Sequence, residues 1–144
     1  MFKGTYQHTI DPKGRLIIPS KYREMLGDTF VVTKGLDGCL FVYDNTEWEA
    51  FETKLQELPL LDKNARIFKR YFLAGACDVE LDKQGRALIP ASLREAAGID
   101  KDVVLAGVGN RIEIWSKEAW DEIEANEDDM EGLEEQMASM GLLI

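Results

Sequence analysis

The chain has 144 residues, 45% hydrophobic and 31% charged, enough apolar material to bury a core in a single domain-sized unit. Its net charge is −10, but the excess lies at one end: from Glu118 onward there are ten acidic residues and no basic one, which leaves residues 1–117 balanced. No apolar run approaches the ~20 residues of a membrane span, and the N-terminal stretch lacks the apolar region of a secretion signal, so a cytoplasmic location is expected.

In chain order, Tyr6–Ile10 and Arg15–Ile18 read as strands around Asp11-Pro12-Lys13-Gly14. Proline presets the second turn position, aspartate can accept from the backbone two residues on, and glycine takes the left-handed position, which predicts a β-hairpin. Pro19 stops the second strand, and a short helix over Ser20–Leu26 should end at Gly27. Strands at Phe30–Thr33 and Leu40–Tyr43 follow, joined by a glycine-rich loop. Helices are then predicted at Thr46–Leu58, with Trp48, Phe51, Leu55 and Leu58 at helical spacing, and at Asp62–Leu73.

Here the chain begins to repeat itself. With an offset of 71, Asp11, Gly14, Arg15, Ile18, Pro19 and Arg23 fall on Asp82, Gly85, Arg86, Ile89, Pro90 and Arg94. After a one-residue insertion, Val31-Val32 fall on Val103-Val104, Gly35 on Gly107 and Trp48 on Trp120. The second half therefore has the turn Asp82-Lys83-Gln84-Gly85 and a helix over Ser92–Ala97, with Ser92 and Glu95 in capping-box spacing and Gly98 as its stop. Strands at Val103–Ala106 and Arg111–Trp115 and a helix over Lys117–Ala125 complete it. The last nineteen residues, from Asn126, are acidic, with Met130, Leu133, Met137 and Met140 recurring at three and four. Cys39 and Cys77 have neither metal-ligand nor CxxC spacing and read as small apolar residues in strands.

Each half is thus β-β-α-β-β-α, and neither half alone offers a sheet large enough to bury its strands. The expected fold is α+β, the halves interlocking about a pseudo-twofold axis into one small closed β-structure with flanking helices. The expected division is a first half at 1–58, a connecting helix at 59–75, a second half at 76–125 and an acidic helix or tail at 126–144.

The doubled Asp-x-x-x-Arg carries most of the functional argument. Asp11 and Asp82, with Gly14 and Gly85, have a structural reading: the aspartate closes the turn and holds the arginine. Arg15 has a functional one, since a planar guanidinium fixed at a hairpin base suits phosphate or a guanine edge. Residues 1–23 add Lys3, Lys13, Lys21 and Arg23 against Asp11 alone, and such local clusters govern counterion release even in an acidic protein. Arg86, with Lys83 nearby, is the second candidate. Arg66, Lys69 and Arg70 share a helix face that reads as solvated. An enzyme finds little support: the single histidine, His8, lies in a predicted strand, and nucleophile-elbow, Walker and zinc spacings are absent from the sequence. No metal, cofactor or small-molecule substrate is expected. The alternative to DNA binding is a protein-interaction adaptor working through the acidic C-terminus.

These residues resemble the MraZ family of bacterial transcriptional regulators. The resemblance is carried by Met1-Phe2, Gly4, Ile10-Asp11, Lys13-Gly14-Arg15-Leu16, Ile18-Pro19 and Tyr22-Arg23, and in the second copy by Leu81-Asp82, Gly85-Arg86, Ile89-Pro90 and Leu93-Arg94. It covers roughly residues 1–125 and departs in the long acidic C-terminus. It implies tandem AbrB-like (swapped-hairpin) modules forming a pseudo-dimeric β-barrel in one chain. It further implies a ring-shaped homo-oligomer associated with the nucleoid, binding short direct repeats in double-stranded promoter DNA and repressing its own division and cell wall operon. The DNA-contacting arginine maps to Arg15, with Lys3 and Lys13 beside it. An antitoxin-like role is the counterpart of the adaptor alternative.

Overall fold

A computed structural model describes residues 1–126 and 129–142. The first repeat contains β1 (Phe2–Thr9), β2 (Arg15–Ile17), α1 (Ser20–Leu26), β3 (Thr29–Lys34), β4 (Leu40–Tyr43), α2 (Asn45–Gln56) and α3 (Lys63–Ala74). The second contains β5 (Cys77–Glu80), β6 (Arg86–Leu88), α4 (Ala91–Ala96), β7 (Asp102–Gly109), β8 (Ile112–Ser116), α5 (Lys117–Ala125) and α6 (Met130–Ser139). Helix starts follow side-chain chemistry: Asp44, Asp62 and Ser116 each accept from the backbone N–H three residues on, satisfying an otherwise orphaned donor of α2, α3 and α5.

The strands form an antiparallel sheet in the order β1-β7-β8-β4-β3-β5 and a separate two-stranded ribbon, β2-β6. The halves exchange strands: β1 lies on β7, β5 on β3, β2 on β6 and β4 on β8. Swapping the halves reverses the sheet order and leaves it unchanged, so a pseudo-twofold axis passes between β4 and β8 and between β2 and β6. Register locates it: Leu16 faces its repeat equivalent Ala87, and Phe41 faces its equivalent Glu113.

Two cores flank the sheet. One lies between sheet and ribbon, where Leu16, Ile18, Ala87 and Ile89 meet Leu40, Val42, Ile112 and Ile114 under α1 and α4. The other, on the opposite face under α2, α3 and α5, joins Phe41, Tyr43, Leu55, Phe72, Val104 and Trp115. β4 is buried along its whole length because it has a core on each side. The ribbon's outer face and the α2/α3/α5 layer therefore occupy opposite poles of the molecule.

The tandem α+β architecture agrees with expectation, but several details do not. Tyr6–Ile10 and Arg15–Ile18 do not form a hairpin ladder: β1 starts at Phe2 and pairs along all eight residues with β7, and between the two arms only the bridge Ile10–Leu16 forms among the described residues. Eight cross-half pairs satisfy far more backbone than a local hairpin over β2's three residues could. The pairing gives a six-stranded sheet facing a two-stranded ribbon, and the bridge Ile10–Leu16 joins the end of β1 to that ribbon. Equivalence in the third strand also shifts by one. Ile10 N–H donates to Lys101 O and Leu81 N–H to Asp28 O, which aligns Phe30-Val31-Val32 with Val103-Val104-Leu105. Two extra residues, not one, therefore precede β7. The expected capping box is absent: α4 starts at Ala91, which puts Ser92 inside the helix, and Pro90 at the N-cap has no side-chain acceptor. Cys77 opens β5, while Cys39 sits one residue before β4; both are free thiols, and burial pushes the Cys39 thiol up to about 12.

Candidate nucleic-acid interface

The two Asp-x-x-x-Arg turns are built alike. Gly14 N–H donates to Asp11 O at 2.9 Å and Asp11 N–H to Arg15 O at 3.0 Å; Asp82, Gly85 and Arg86 repeat both bonds at 3.0 Å. One carboxylate oxygen of Asp11 accepts from the backbone N–H groups of Lys13 and Arg15, and the other accepts from Arg15 Nε at 2.6 Å. Asp82 does the same for Gln84, Arg86 and Arg86 Nε, the last at 2.7 Å. These bonds, led by the backbone N–H of the arginine, hold both carboxyls below their ordinary pKa. Each arginine is gripped through Nε, and among the described residues neither terminal nitrogen of its fork has a side-chain or backbone hydrogen-bond partner. The structural and the functional readings of the motif are thus two ends of one side chain.

The turns are locked across the axis. Ile89 N–H donates to Gly14 O at 2.8 Å and Ile18 N–H to Gly85 O at 3.0 Å, so each glycine carbonyl serves the other half. Both glycines have positive φ, +88° and +75°. A Cβ at Gly14 would lie 2.9 Å from the Arg94 guanidinium, and one at Gly85 would overlap that of Arg23. The helix arginines therefore cross over: Arg23 of α1 covers the second turn and Arg94 of α4 covers the first.

Between the turns lies the ribbon. Leu16 and Ala87 point inward with no exposure, so strand alternation turns Arg15, Ile17, Arg86 and Leu88 outward. Arg15 is opposite Leu88 and Arg86 opposite Ile17, which makes the arginines diagonal neighbours about 7–8 Å apart. Ile17 is 48% and Leu88 57% exposed, two large apolar side chains in water beside two cations. One small face thus carries both motif arginines, with Lys13 and Lys83 exposed in the flanking turns, and Arg23 and exposed Lys21 on the helix that leaves beside the second turn. Glu24 and Glu95 lie on the same two short helices.

Lys3 is not part of this face. It stands near the start of β1, eight residues from Asp11 and roughly 25 Å along an extended strand, where Tyr22 Oη donates to the neighbouring Gly4 O at 2.6 Å. Arg66 is not simply solvated, since its Nη1 donates to Leu60 O at 3.0 Å. His8 is half-buried in β1, opposite Val103. Arg94, Ile17 and Leu88 were absent from the sequence-based site. The match of Arg94 to Arg23 under the offset of 71 was a usable signal for the first. The apolar pair had none, because an isoleucine and a leucine in strands read as core.

Comparison with known proteins finds matches over nearly all of the chain. The family model described as MraZ protein matches the chain twice, over residues 1–71 and 72–141. The chain is 55% identical over 142 residues to a protein of Clostridium beijerinckii, covering 99% of this chain and 100% of the relative. It is 62% identical over 128 residues to one of Thermoanaerobacter sp. strain X514, covering 89% and 90%. It is 53% identical over 143 residues to one of Acetivibrio thermocellus, covering 99% and 100%. Each of the three is named transcriptional regulator MraZ.

Proposed function

The chain belongs to the MraZ family, and from that premise we propose that it is a sequence-specific DNA-binding transcriptional regulator that reads duplex DNA with the outer face of the β2-β6 ribbon. The observation that carries this reading is the diagonal pair Arg15 and Arg86, each anchored through Nε by its own aspartate on the outward side of the ribbon. A two-stranded ribbon fits the B-DNA major groove, which is ~12 Å wide, and an arginine fork matches guanine O6 and N7. Ile17 and Leu88 between them suit thymine methyl groups. Lys13, Lys83, Lys21, Arg23 and Arg94 supply phosphate contacts around the edge, and Lys3 reaches DNA only where the duplex runs on past the ribbon.

The face is only approximately twofold. Pro12-Lys13 in the first turn stands against Lys83-Gln84 in the second, so one subunit reads an asymmetric site, consistent with direct repeats rather than palindromes. One such small patch binds weakly at physiological salt. A ring-shaped homo-oligomer engaging several repeats gains ~10²–10⁴ by linkage alone. In this reading the protein works in the cytoplasm on the nucleoid and represses its own division and cell wall operon. It assigns the chain no catalytic step, cofactor or metal. Among the described residues no helix is long and apolar enough to cross a membrane.

The test is a binding titration on the DNA upstream of the protein's own gene at two salt concentrations. Arg15→Ala should cost ~1–3 kcal/mol, about 5- to 150-fold, with a melting temperature close to wild type. Affinity should also fall with salt at ~0.9 log unit per phosphate contacted for each log unit of salt. Unfolding of Arg15→Ala would return the motif to a purely structural role. No binding by assembled wild type would favour the adaptor reading, for which the observation is the exposed apolar side of α6: Met130, Leu133 and Met140 are 59%, 48% and 78% exposed.

A further inference from the structure

The second family match runs to residue 141, so α6 closes the second repeat as α3 closes the first. Both helices follow another helix, and both begin with an aspartate whose side chain accepts from the N–H three residues on, Asp62 from Ala65 and Asp129 from Gly132. Their packing differs. α3 is seated: Phe72 is buried against Phe41 and Phe51, and its carbonyl accepts from buried Thr33 Oγ1 at 2.8 Å. α6 buries none of its residues, and none of them enters either core.

An unfilled surface matches it. Between α3, the start of β5 and α4 runs a groove of about 820 Å³ whose lining includes Ile67, Tyr71, Cys77 and Leu93. Ile67 is 50% and Tyr71 37% exposed. Lys34, lying 4.6 Å over the Tyr71 ring, and Arg70 give it positive charge, against Glu95 as the one acid among its lining residues. α6 carries Glu131, Glu134 and Glu135, no basic residue, and an apolar side of Met130, Leu133 and Met137 at helical spacing. Hydrophobic complementarity and charge complementarity therefore point to the same pairing. The chain's own α6 does not fill it: α6 buries none of its residues, and none of them is among the groove's lining.

We propose that α6 of one copy docks in the α3/α4 groove of a second copy, laying the last helix of one second repeat beside the last helix of a neighbour's first repeat. The contact is head-to-tail, because each copy donates at one site and accepts at another, and such contacts close into rings or run on as filaments. This rests on the assembly part of the function proposed above and names the surfaces that make it.

The native Cys77 in the groove provides the test. Leu133→Cys, Met137→Cys and Met140→Cys variants of the full chain are oxidised with diamide and run without reductant. At least one should give covalent chains of two or more copies, abolished by adding Cys77→Ser. A bond only within one chain, no bond in any of the three variants while assembly persists, or a monomeric wild type would overturn the proposal. Separately, Leu133→Glu with Met137→Glu should at least halve the assembly mass seen by light scattering while circular dichroism keeps the fold. Unchanged mass overturns the docking but leaves the regulator reading intact, because that reading is judged by operator binding and Arg15→Ala.

Discussion

At the scale of single residues, the aspartates and glycines of the repeated turn do different jobs. Each aspartate accepts two backbone N–H bonds and one from arginine Nε, all of which favour its charged form. Their contribution is therefore full above the ordinary carboxylate pKa near ~3.9 and is lost as pH falls through the lower native value. NMR titration of the carboxyl carbons should show Asp11 and Asp82 with midpoints below that of an unconstrained aspartate, and both turns loosening only below about pH 4. A midpoint at or above the ordinary value would remove the turn from the argument. Gly85 and Gly98 separate strain from contact, since both have positive φ but only Gly85 has a guanidinium where Cβ would go. Gly98→Ala and Gly85→Ala should each cost about 1 kcal/mol in backbone strain, and only Gly85→Ala should also swing the Arg23 guanidinium aside and weaken DNA binding; unchanged operator binding in Gly85→Ala would count against the Arg23 crossover. The turn was legible in the sequence because aspartate and glycine act locally. The exclusion of Lys3 was not, because closeness in sequence means little along an extended strand.

At the scale of elements, the ribbon turns strand alternation into a functional division. Leu16→Ala, on the inward side at the axis, should cost about 2–5 kcal/mol by opening a cavity. Ile17→Thr, one residue on and facing out, should change stability by no more than ~0.5 kcal/mol while weakening DNA binding. Chemical denaturation alongside operator titration separates the two, and a large stability loss in Ile17→Thr would show that this side chain is core after all. The helices α2, α3 and α5 could be read ahead, since periodicity is a near-neighbour effect, whereas the capping box at Ser92 and Glu95 does not form. The partners of β1 and β2 could not. Their alternation fits a local hairpin as well as it fits β7 and β6, and the choice is made by how many backbone groups a distant strand can satisfy. The same holds for Ile17 and Leu88: their place in the site exists only once β2 and β6 have been brought together.

At the scale of the molecule, exchange of strands makes the halves mutually dependent. Residues 1–74 alone retain β1 without β7 and β2 without β6. That fragment should be either unfolded or a dimer in which a second copy supplies the missing strands; a folded monomer by light scattering and circular dichroism would contradict the shared core. Joining both halves in one polypeptide has a further consequence at the axis. In a symmetric pair of identical chains, any residue on the axis must face its own copy, so a bulky side chain meets an equally bulky one and a charge meets the same charge. Covalent linkage lifts that constraint. Leu16 faces the smaller Ala87, and Phe41 faces Glu113 while Arg111 lies 4.2 Å over the Phe41 ring. Each mutation now alters one member of a facing pair instead of both, so the two halves are free to become unlike where they meet, and a surface built from them can acquire a direction.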